Sequence, residues 1–96
     1  MGQIRIFKNN FEPVQYELID SEGNKKIISQ KTRMTSDVSD QIEDIAYKNK
    51  NYTNSQRIIL QLVLIFGEPE DFWKGFDVGF LGDILGSFSE DCRKKK

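Results

Sequence analysis

Histidine is absent from this 96-residue chain, and cysteine occurs once. Without histidine the chain lacks the commonest general base at neutral pH and the commonest metal ligand. Cys92 alone closes no internal disulfide and makes no metal site, which fits a reducing, intracellular compartment. Proline stands only at positions 13 and 69. No phosphate-cradling glycine loop, nucleophile elbow, zinc spacing or nucleotide fingerprint occurs. The expectation is therefore no catalytic residue, no metal, no cofactor and no enzyme activity. The longest apolar run falls well short of the ~20 residues that span a bilayer. Met1-Gly2-Gln3-Ile4-Arg5 lacks the apolar core of a secretory leader. No internal repeat is visible.

What is present is sticky surface. The chain is 38% hydrophobic and 30% charged, the balance of a globular domain. A single domain over 1–96 is expected, made of a hairpin or arm (1–33), a helical core (34–90) and a basic tail (91–96). Its core should be thin, because a chain this short buries only about 60–65% of its unfolded surface. The net charge of −1 hides an acidic middle and a basic end at Arg93-Lys94-Lys95-Lys96. Four terminal cations without interleaved aromatics fit a solvated tail better than a nucleic-acid contact.

Along the chain, Gln3 to Lys8 alternates weakly, the pattern of a short strand. Val14, Tyr16 and Leu18 share one face of a second extended run, and Asp20-Ser21-Glu22-Gly23-Asn24 is a turn. A β-hairpin is expected, with strands near 13–20 and 25–32. An isolated hairpin is marginal in water, so a mobile arm is the competing reading. Thr35 or Ser36 caps a helix near 36–49, whose Val38, Ile42, Ile45 and Ala46 keep helical spacing. Its acids, Asp40, Glu43 and Asp44, form a solvated face. Thr53-Asn54-Ser55-Gln56 is a capping box opening a helix near 54–66. That helix is apolar nearly all round and should be the most buried. Gly67 ends it, and Pro69 with Glu70 and Asp71 opens a last helix near 69–89. The fold class is mainly α with a small N-terminal β-hairpin (α+β) and a three-helix core.

The last helix carries the oddity. Gly75, Gly79, Gly82 and Gly86 fall on one narrow stripe at helical spacing. Together they cost the helix about 3–4 kcal/mol relative to alanine. Three readings remain open: close approach by another helix of the same chain, a break into two short helices, or a contact surface for a second chain. The candidate protein-binding residues are Phe72, Trp73, Phe76, Gly79, Phe80, Gly82 and Leu85.

The order of these segments carries a resemblance. An apolar helix, then Phe66-Gly67-Glu68-Pro69-Glu70-Asp71-Phe72-Trp73, then Phe80-Leu81-Gly82-Asp83-Ile84-Leu85 resembles the small tail assembly chaperones of long-tailed, non-contractile bacteriophages. The whole chain is similar, more narrowly, to chaperones of the tape measure protein in lactococcal-type siphophages. The resemblance implies an oligomeric chaperone of virion tail morphogenesis. Such a protein coats the long, helical, apolar tape measure protein and helps the tail tube protein polymerise around it. It implies the host cell cytoplasm and absence from the mature virion, with no nucleic acid and no membrane as partner. The physics of an exposed apolar groove for amphipathic helices agrees. Two other classes fit less well: a small nucleic-acid-associated regulator using the basic tail, and a membrane-surface module using the 72–88 face.

Overall fold

A computed structural model describes residues 2–94, except for the side chains of Arg93 and Lys94. The first element is the hairpin, β1 (Gln15–Ile19) against β2 (Lys25–Ser29), antiparallel with Tyr16 opposite Ile28. Its turn is built by Asp20. One carboxylate oxygen accepts from the N–H groups of Glu22 and Asn24, the other from the Asn24 amide. Gly23 supplies the positive φ the turn needs, at 86°. These hydrogen bonds hold the Asp20 carboxyl below its usual range, those from Asn24 contributing most.

The hairpin is fastened to the helices. Even-numbered residues along β1 and just before it face inward: Val14 and Leu18 are buried and Tyr16 is half-buried. The chain leaving β2 then caps a helix. The Lys31 and Thr32 N–H groups donate to Ile65 O at 2.8 and 3.3 Å, and the Thr32 hydroxyl donates to Leu64 O at 2.6 Å. The last carbonyls of a helix have no partner within it, so these bonds satisfy groups otherwise orphaned. Buried Gln30 bridges the same corner, accepting from Val14 N–H and donating to Thr32 O.

Helix α1 (Ser36–Glu43) is capped by the Thr35 hydroxyl, which accepts from Val38 N–H, and passes into one π turn at Asp44–Lys48. A π turn displaces carbonyls from the regular ladder. Arg57 reaches one in the turn and two just beyond it, donating to Ala46 O at 2.7 Å, Asn49 O at 2.9 Å and Tyr52 O at 3.3 Å. One guanidinium thus fixes α1 to the next helix.

Helix α2 (Asn54–Phe66) has the full capping box, Thr53 and Gln56 bonding reciprocally. It buries Ile59, Gln61, Leu62, Ile65 and Phe66, more than any other element, as its all-round apolarity predicts. It stops at Gly67, which adopts φ 80°. A side chain there would be strained, and its Cβ would lie 2.8 Å from Lys31 Cγ.

The expected single helix at 69–89 is two: α3 (Glu70–Lys74) and α4 (Val78–Lys94). Gly75 stands at the break, where glycine costs a helix interior about 1 kcal/mol, and Asp77 is of the type favoured just before a helix. The last helix also runs further than expected. Its final turn lies on the hairpin: the Tyr16 hydroxyl donates to Asp91, and Cys92 packs against the core. Lys95 and Lys96 of the basic tail lie outside the described residues. Gln3 to Lys8, read as a short strand, forms none here.

The core joins hairpin to helices. Val14, Leu18 and Ile28 meet Leu62, Phe66, Trp73, Leu81, Ile84 and Phe88. Helix α1 has no fully buried residue and reaches the core through Ile42. The three helices of the centre are therefore α2, α3 and α4, and the hairpin joins their core through Val14, Leu18 and Ile28. Phe66 is its hub, with ring centroids 6.0 Å from Tyr16, 6.1 Å from Trp73 and 5.7 Å from Phe88. Among the described residues no helix is long and apolar enough to cross a membrane.

The Tyr16–Asp91 bond gives a pH test. Burial first, then Asp91, pushes the Tyr16 hydroxyl well above the usual phenol range. Its folded pKa exceeds its unfolded one, so its contribution is complete below about pH 10 and is lost as pH rises through the raised value. Tyr16→Phe should cost about 1–2 kcal/mol near neutral pH. It should also flatten the alkaline decline in stability, measured by urea melts from about pH 7 to about pH 11.

Candidate functional site

Residues 72, 76 and 80 recur every fourth position, so a continuous helix would align them. The break at Gly75 does not scatter them. Phe72 and Phe76 lie 5.4 Å apart edge to face, and Phe76 stacks on Phe80 at 5.2 Å. All three rings are half-buried, one side on the core and one side open. Ile19, at the end of β1, borders Phe76 and Phe80 and is itself exposed. The result is an aromatic row across the α3–α4 junction, flanked by the hairpin.

Trp73 is the pillar of the row and not a member of its surface. It was expected among the contact residues, but its exposure is 0%. Its indole N–H donates to Glu68 O at 3.1 Å, and its ring meets Phe72 edge to face at 4.9 Å. An indole with its donor satisfied and its rings packed on Phe66 is core chemistry. At the other end of the row, the Lys26 ammonium sits 5.0 Å over the Phe72 ring and 3.3 Å from the Glu68 carboxylate. That pair fixes the ring's outer edge and places charge at the margin of an apolar surface.

The other candidates separate. Gly79 and Gly82 turn away from the core, and a Cβ added at either, or at Gly86, would meet nothing within 4 Å. The stripe is therefore not a seat for another helix of this chain, and the break removes Gly75 from it. Leu85 packs on the core from the flank of α4 opposite Phe80. Of the seven residues, Phe72, Phe76 and Phe80 form one surface. Gly79 and Gly82 lie round the helix from it, Leu85 beyond, and Trp73 beneath. Ile19 completes the surface and was missed, since nothing in a strand end signals that a helix junction lies beside it.

Open glycines give a sign-definite test. Gly79→Ala and Gly82→Ala should each stabilise the protein by about 0.5–1 kcal/mol, because alanine restores helix propensity without a clash. Thermal melts of the two variants read this directly. A drop in melting temperature would mean that the stripe is covered in solution.

Among the described residues no three ligating side chains converge to hold a metal ion. Compared with models of known protein families, with characterised proteins and with solved structures, the chain matches none.

Proposed function

We propose that the protein is a binding module, not an enzyme, and that its client is the apolar, helical tape measure protein of a long-tailed phage. The observation that carries this is the half-open aromatic row of Phe72, Phe76 and Phe80. Its ring spacings of 5.4 and 5.2 Å match the ~5.4 Å rise of one helical turn. Apolar side chains at successive turns of a client helix can therefore lie against successive rings. Aromatic side chains bring large contact area at low entropic cost, which suits a surface that holds apolar segments of a long helical client. Charged residues at its margin, Lys26 and Asp77, keep the chaperone itself dispersed. The resemblance in segment order supports the choice of client. The tail tube protein would follow as the subunit that replaces the chaperone, and the site of action would be the host cytoplasm.

Co-expression tests it. The tape measure protein should shift from the insoluble to the soluble fraction when this chain is present. Phe76→Ser/Phe80→Ser should lose that effect while keeping a native circular dichroism spectrum. An equally soluble client with the double variant would overturn the reading.

A further inference from the structure

Residues 2–13 precede the hairpin without regular structure, and they expose Ile4 at 90%, Ile6 at 77% and Phe7 at 85%. Isolated apolar residues on a surface need no explanation, but three within four positions on an extended segment do. Next to them in sequence lies an unfinished sheet. The pairs Val14–Gln30 and Asp20–Asn24 are hydrogen-bonded, which fixes the alternation along β1. The peptide groups of Gln15, Glu17 and Ile19 then point to the outer edge, away from β2. Among the described residues no other strand closes that edge. It borders a groove of about 420 Å³ between β1 and α4, floored by Tyr16, Leu18, Phe80 and Ile84. The charged residues on its walls are Glu17 and Asp83, both acidic.

We infer that the groove between β1 and α4 receives the Gln3–Lys8 segment of a second copy of this chain, added as a strand on the free edge of β1. Three observations select this occupant. The segment alternates as a strand does and has two cations, Arg5 and Lys8, and no acid, against two acids and no base in the groove. Its six residues extend over about 20 Å, close to the length of five-residue β1 at ~3.3 Å per residue. Its root is tied away from its own groove: Arg33 donates to Asn9 O at 3.3 Å and lies 5.3 Å over the Phe11 ring, beyond the opposite end of β1. Strand addition satisfies the edge peptides, and Ile4 and Ile6, on one face of the strand, meet the apolar floor. Each copy offers one segment and one groove, so the contact closes as a reciprocal pair or runs on as a chain. This inference does not depend on the identity of any client.

Charge exchange tests it on exposed residues only. The intact protein should sediment at no less than twice its 11.2 kDa protomer mass as concentration rises. Arg5→Glu/Lys8→Glu and Glu17→Lys/Asp83→Lys should each raise the self-association Kd at least about tenfold. An equimolar mixture of the two should associate again, because each segment then faces a groove of opposite charge. Removal of residues 2–8 should leave a folded monomer. Four results would overturn the inference: a monomeric intact protein, swapped variants that associate like the original, a mixture that does not recover, or association that survives removal of the segment. A segment docked in its own groove would appear as the first of these.

Discussion

Trp73→Ala is expected to cost about 3–5 kcal/mol, enough to leave a domain of this size largely unfolded at 25 °C. The side chain has 0% exposure and is held at both ends, by the Glu68 carbonyl on its N–H and by Phe66 and Phe72 on its rings. Truncation removes the transfer free energy of the indole and leaves a cavity that α3, five residues long, has little length to close. Trp73→Phe separates the two contributions. It keeps most of the volume and loses the hydrogen bond, so it should cost about 1–2 kcal/mol. Urea melts of both variants read the difference. If Trp73→Ala melts near the original protein, the indole is at the surface and the row has four members instead of three.

Arg57→Ala should be the largest loss at a half-exposed position, about 2–3 kcal/mol. Its guanidinium closes three carbonyls, Ala46, Asn49 and Tyr52, around the π turn. Helix α1 has no fully buried residue to hold it otherwise. The loss should be local before it is global: amide exchange in residues 36–49 should rise while α2 and α4 stay protected. Arg57→Lys should recover little, because an ammonium has no planar fork to reach three separate oxygens. Uniform acceleration of exchange across the chain would show that α1 is part of one cooperative unit, contrary to this picture.

The legible part of the fold was the part set by local chemistry. The capping box at Thr53–Gln56, the stop at Gly67 and the turn at Asp20–Asn24 each depend on residues within one turn of one another, and α2 occupies the 54–66 span its sequence marks. The break at Gly75 was harder to see, because the same four glycines fit a continuous stripe and a broken helix equally well by spacing. Only the fold decides, and there the aromatic row stays aligned across the junction through contacts of Phe72 with Phe76 and of Phe76 with Phe80. The last turns of α4 meet the hairpin through the Tyr16–Asp91 bond, between groups 75 residues apart, which no local pattern reports. The same holds for Arg57. In sequence it is one cation at the start of an apolar helix, and its work is set in part by a carbonyl of the π turn eleven residues earlier. Among the site residues, helical spacing put Phe72, Trp73, Phe76 and Phe80 together on one broad face. It could not tell that Trp73, one position along, falls beneath them.

Amide exchange of the chain alone and saturated with a soluble helical fragment of the tape measure protein is the most direct test of the central claim. The account expects slowed exchange across residues 70–82 and at the Ile19 end of β1, where the aromatic row meets the hairpin, with the 36–49 segment unchanged. Slowed exchange confined to α1, or none anywhere in the presence of a fragment shown to bind, would contradict it.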